Sequence, residues 1–212
     1  MTKRWLWISL LMPNLLLAGQ LLAAESNTAT KEAIEAAHEA ENEIKQAITA
    51  AAEAYQAGEL SQAVTQLDYS ATLIRQLQAV ELGKLFPEPL PGWQADKVDS
   101  QAGAAGLFGG GINASRNYHK GDHRLEISIM KDSPLLQTMG MLFANPSMAT
   151  MGGYKMKRIQ GHTAMSKAED NHQELQMMIE NRILLQFNGR NISEDDLKAY
   201  AEAVDIEAIT KL

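Results

Sequence analysis

The sequence predicts an α+β protein: an N-terminal antiparallel helical hairpin, then a mostly antiparallel sheet with short helices and a C-terminal helix. Three observations carry this reading. Apolar residues from Ile34 to Leu77 recur at intervals of three and four, the period of a helix buried on one face. Three prolines, Pro87, Pro89 and Pro91, then break that pattern, removing amide donors and fixing an extended path. Beyond them the apolar period falls to two, and helical signals return only between and after the strands, which is the α+β arrangement.

The chain has 212 residues, 45% hydrophobic and 21% charged, with no cysteine and a formal charge of −7. This composition excludes a disordered chain, a collagen-like repeat and a disulfide scaffold. The acidic balance argues against nucleic acid, whose phosphates are met by clustered lysine and arginine. Residues 1–24 open with Lys3 and Arg4, continue through WLWISLLMPNLLLAGQLLA and end at Ala24 before Glu25. This is the pattern of a secretory signal peptide cut after Ala24. Pro13 and Asn14 interrupt its apolar run, whereas a span needs about 20 predominantly apolar residues, so no membrane span is expected after cleavage. The 188 residues left carry a formal charge of −9, because the removed segment holds two bases and no acid. The expected location is the periplasm. With no cysteine there is neither a lipidated N-terminal thiol nor a disulfide, and stability has to come from the core.

Residues 25–84 form the expected hairpin. Ile34, Ala37, Glu41, Ile44, Ile48, Ala51 and Tyr55 are spaced three and four apart, Ala57-Gly58-Glu59 breaks the run, and Leu60, Ala63, Leu67, Ala71, Ile74 and Leu77 resume it. So short a turn makes the two helices antiparallel. The run AAAEAYQAGELSQAVTQLDYSATLI resembles the middle of a tetratricopeptide repeat, in Tyr55, the turn Gly58, the small Ala63 and the bulky Leu67, with Ser70 where the repeat has Ala. The likeness covers about 25 residues and implies a tight helix pair; a single repeat does not stack into a peptide-binding solenoid.

Residues 85–93 are the expected linker and 94–212 the α+β domain. Leu125, Ile127 and Ile129 alternate with Glu126, Ser128 and Met130 as a half-buried strand. Residues 134–150 lack alternation and read as one or two short helices. Strands follow at 154–159 and 162–166, then a hairpin of 174–179 with 183–187 across Glu180-Asn181-Arg182, closed by Asn188-Gly189. Ser193 before Glu194-Asp195-Asp196 caps a last helix with Leu197, Tyr200, Ala201 and Val204 on its apolar face. The whole layout resembles small uncharacterised exported proteins of Gram-negative bacteria, and the C-terminal element order resembles the PsbP family. Neither resemblance implies an activity.

The sequence offers no catalytic constellation. There is no thiol, no G-x-S-x-G elbow and no Walker loop, and the glycine-rich Gly103 to Gly111 lacks the Lys-Ser/Thr that holds phosphate. His119 and His123 flank a turn, not a helix, so the helical spacing of metal ligands does not apply, although a hairpin could bring both rings together. Eleven methionines are the unusual count, crowded between 139 and 165. Thioethers make adaptable hydrophobic surfaces, and they also hold Cu(I). The expected partner or ligand surface is Met139, Met141, Phe143, Met148 and Met151, without a metal or other cofactor in the leading reading. That reading is a non-enzymatic accessory protein of the periplasm that docks another exported or envelope protein. The alternative is a small-ligand or Cu(I)-binding module built on 139–165.

Overall fold

A computed structural model describes residue 35, residues 38–102 and residues 111–212. The expected signal peptide, the start of the first apolar series and most of the glycine-rich segment lie outside these residues. The architecture is α+β, with an antiparallel sheet of eight strands preceded by two helices and accompanied by four short ones. Two compact units divide the chain, one ending at Ser70 and the other running from Ala71 to Leu212.

In the first unit, α1 (38–56) and the beginning of α2 (Leu60–Gly83) form the hairpin. Gly58 ends α1 at φ +79. The amides of Glu59 and Gly58 donate to the carbonyls of Ala54 and Tyr55 at 2.8 and 3.1 Å, the paired bonds of a left-handed helix stop that glycine adopts without strain. The buried positions are small: Ala47, Ala51 and Ala54 on α1, Ala63 and Ser70 on α2. The bulky members of the periodic series, Ile48, Tyr55, Leu60 and Leu67, are exposed instead. Close approach of two backbones needs small residues at the crossing, and these push the larger side chains out to the flanks.

In the second unit the strands are β1 (Gln94–Ala95), β2 (Asp99–Ala102), β3 (Ile112–Lys120), β4 (His123–Lys131), β5 (Lys155–Ile159), β6 (His162–Glu169), β7 (His172–Ile179) and β8 (Ile183–Arg190). The sheet order is β1-β3-β4-β8-β7-β6-β5, with β2 beside β1 on the same flank of β3. Tight turns join the sequential pairs, with Gly121, Gln160 and Asp170 at positive φ, as two-residue hairpins of right-twisted strands require. β5 is an edge strand, and Lys155 lies exposed along it, where a charge discourages pairing with another chain.

Strand alternation gives the sheet two different faces. On the first, Leu125, Ile127 and Ile129 meet Leu185, Phe187, Leu175 and Met177 under a cover from α5 (Glu194–Ala203), α6 (Ile206–Lys211) and the end of α2. The segment read as a linker is part of this core: Phe86 and Trp93 are buried. The Tyr118 hydroxyl donates to the Pro87 carbonyl at 2.7 Å, and the Leu90 amide donates to the Tyr200 hydroxyl at 3.2 Å. The division between units accordingly falls inside α2 and not at the prolines. Ser193 caps α5 by accepting from the Asp196 amide at 3.0 Å. The expected apolar face is buried, although the helix stops at Ala203 and a further helix, α6, follows, capped by Asp205. Asn188-Gly189 does not close the hairpin, because β8 continues through it to Arg190.

On the second face, α3 (Leu135–Ala144) and α4 (Pro146–Met151) cover one end of the sheet. Leu136, Phe143 and Ala149 pack there with Met165, Met178 and Leu184. Among the described residues nothing covers the other end of this face, which is lined mostly by polar side chains.

Candidate functional site

The structure separates the residues expected to form one methionine surface. Phe143 is buried and Met139 is half-buried, both lying against the core beneath α3. Phe143 therefore fastens the helix to the sheet and is not a surface residue. Met141, Met148 and Met151 remain outside, at 66%, 52% and 88% exposure. Met148 and Met151 sit three apart on α4, whose start is fixed by Asn145 accepting from the Met148 amide at 3.3 Å. Side chains three apart on a helix are neighbours, so two thioethers share one patch.

A second surface lies on the hairpin. Ile44, Ile48 and Tyr55 on α1 and Leu60, Val64 and Leu67 on α2 form two apolar stripes. At about 100° per residue, each stripe stands roughly a quarter turn from its own seam, in the same rotational sense. In an antiparallel pair equal offsets bring both stripes to one side. The hydrogen bond from Tyr69 to the Glu43 carboxylate closes the opposite side, and it holds the phenol above its ordinary ionisation range. Apart from half-buried Ile44, these stripe residues are between 46% and 69% exposed. Between 38 and 70 six carboxylates (Glu39, Glu41, Glu43, Glu53, Glu59 and Asp68) stand against one lysine, Lys45, itself paired with Glu41 at 2.6 Å. The hairpin thus presents a greasy strip on an anionic body.

The third surface is the uncovered end of the sheet's second face, an open basin of about 520 Å³. Strand register builds it. His119 on β3 stands opposite Arg124 on β4, Arg124 opposite Arg190 on β8, and Arg190 opposite His172 on β7. One row further in come Asn117, Glu126 and Asn188. The His119 Nε2 lies 3.0 Å from the Gln94 side-chain oxygen, and its Nδ1 lies 3.8 Å from Asp96. His123 does not join this group: paired with Lys120, it leaves the sheet on the other face, and its ring bonds the Asn191 carbonyl. Among the described residues no group of three or more His, Asp or Glu could hold a metal ion.

This basin was not read from the sequence. Its residues are the polar partners in the alternation of four strands, and only pairing those strands across the sheet aligns them. No family model, curated protein or solved structure matches the chain.

Proposed function

We propose that the protein is a non-enzymatic accessory protein of the periplasm, whose hairpin docks an amphipathic helical segment of another exported or envelope protein. The observation that carries this is the pair of apolar stripes left exposed on one side of an acidic hairpin. Burying exposed apolar side chains is favourable by about 25 cal/mol per Å², and a helix laid into such a strip is a recurring mode of recognition. The surrounding carboxylates favour a partner helix flanked by lysine or arginine. No described helix is long and apolar enough to cross a membrane.

The test places a photo-crosslinker at Val64 and, on the far side of α2, at Gln62, in the protein expressed with its own N-terminus. Crosslinking at Val64 to a helical, basic segment of an envelope protein, lost in Val64→Asp and Leu67→Asp with helix content unchanged, is the expected result. Equal crosslinking at Gln62, or none at Val64, overturns the proposal. N-terminal sequencing of the same material is expected to start at Glu25; retention of residues 1–24 would remove the export reading.

The exposure of Met148 and Met151 supports a second reading, a Cu(I)-binding module. Equilibrium dialysis is then expected to show stoichiometric Cu(I) that Met148→Leu/Met151→Leu abolishes; absence of binding ends it.

A further inference from the structure

The polar basin in the second unit carries an inference independent of the hairpin. Arg124 and Arg190 are direct cross-strand partners on the same face, and like charges in that position repel. Their flanking partners are His119 and His172; the Asp96 carboxylate, which also lines the basin, lies 3.8 Å from the His119 ring and not within an ion pair to either arginine. The next residue along the row, Glu169 on β6, is held by Lys167 at 2.7 Å. Glu174, one row in, is bonded by Tyr154 at 3.1 Å and by Gln176. The Arg124 guanidinium donates to two main-chain carbonyls, those of Gly121 and His123, and not to a carboxylate. Among the described residues Arg190 makes no ion pair and no side-chain hydrogen bond. Both arginines line the basin, and among the described residues neither guanidinium pairs with a carboxylate, which leaves the Arg190 fork and the Arg124 N–H groups not bonded to the turn as donors. That geometry matches the oxygens of a carboxylate or phosphate, which accept such donors in pairs.

We propose that this basin binds a small polar organic anion through the Arg124–Arg190 pair. The ligand's oxyanion lies between the two guanidiniums, and the anion relieves their repulsion. Glu126, Asn117 and Asn188 stand one row further in, where they accept from hydroxyl or amino groups on the rest of the molecule. A space of about 520 Å³ is in the range of pockets that hold small molecules.

The experiment is isothermal titration of the whole protein with inorganic phosphate and with citrate, at ionic strength held constant with sodium chloride. Saturable binding of at least one anion is expected. Arg190→Gln and Arg124→Gln are each expected to weaken it about tenfold or more, the effect of removing a charge-assisted donor. Arg158→Gln, on β5, leaves it unchanged. Circular dichroism checks that each variant is folded, and having two variants keeps the test open if one is not. Sedimentation with phosphatidylglycerol vesicles separates the sources of the oxyanion: association lost in Arg190→Gln assigns a lipid headgroup, and no association beside saturable citrate or phosphate assigns a soluble ligand. No saturation by either anion and no vesicle association, or binding unchanged in both arginine variants, overturns the proposal.

Discussion

Gly189 shows how one residue type answers two demands. Asn-Gly is the strongest short turn signal in a sequence, yet here it lies within β8. A Cβ at this position would stand 2.2 Å from Ile192 Cγ2, so the glycine admits the side chain that covers the strand. Gly189→Ala is expected to lower stability by about 1–3 kcal/mol, read as a lower urea midpoint; an unchanged midpoint would contradict the close approach. The buried tyrosines set a different expectation. Burial pushes the phenols of Tyr118 and Tyr200 above their ordinary value of 10.0, the nearby Arg116 offsetting part of the rise. In the unfolded chain both ionise near pH 10, so above that pH the unfolded state binds fewer protons than the folded one. Their contribution is complete below pH 10 and is lost as pH climbs from there toward the raised folded values. Lys131 acts in the opposite sense: burial lowers its pKa from 10.5, so its cost is relieved as pH rises toward that value. Tyr69 and Tyr154 are raised in the same sense as Tyr118 and Tyr200, so with four phenols against one lowered ammonium the urea midpoint is expected to fall above about pH 10, and less steeply in Tyr118→Phe; a flat profile would refute this.

At the scale of elements, α5 and the strands β4, β6 and β7 were legible because their signals are local. The Ser193 cap and the alternation at Leu125, Ile127 and Ile129 each depend on neighbours in sequence. The hairpin was legible as two helices but not as an interface. Periodicity marked Ile48, Tyr55 and Leu67 together with Ala51 and Ala63, whereas close approach buried only the alanines, Ala51 and Ala63 with Ala47 and Ala54, and periodicity alone does not rank small against large. That division makes a prediction. Ala51→Leu overfills the seam and is expected to cost about 1–3 kcal/mol, while Leu67→Ser on the stripe stays within about 0.5 kcal/mol, both measured by loss of helical ellipticity in urea. The reverse order would mean that the stripe, not the alanine row, holds the helices together. The basin was illegible for a related reason, since its two arginines and two histidines come from four strands and share only a register.

At the scale of the molecule, the covering of the sheet decides which residues are available to solvent. Among the described residues the first face is covered by α5, α6 and the end of α2, and the second only where α3 and α4 lie. Methionine therefore has two roles in one chain: Met165, Met177 and Met178 fill the interior, while Met141, Met148 and Met151 reach water. Composition revealed the abundance but not this partition, which follows from how short α3 and α4 are. The order of the sheet also bears on how the chain reaches its structure in time. β3 with β4, and β5 through β8, join by tight turns and close small loops, but β4 meets β8 through pairs such as Lys131 with Ile183, across the intervening helices and strands. Long loops are the slower to close, and nonlocal pairing governs folding speed. Ile127→Val, at that junction, is expected to slow refolding, whereas Ala164→Gly on β6 mainly speeds unfolding; stopped-flow kinetics giving the opposite assignment would place the nucleus elsewhere. The joining of β4 to β8 then divides folding into a stage of separate hairpins and a stage in which one late contact commits the whole sheet.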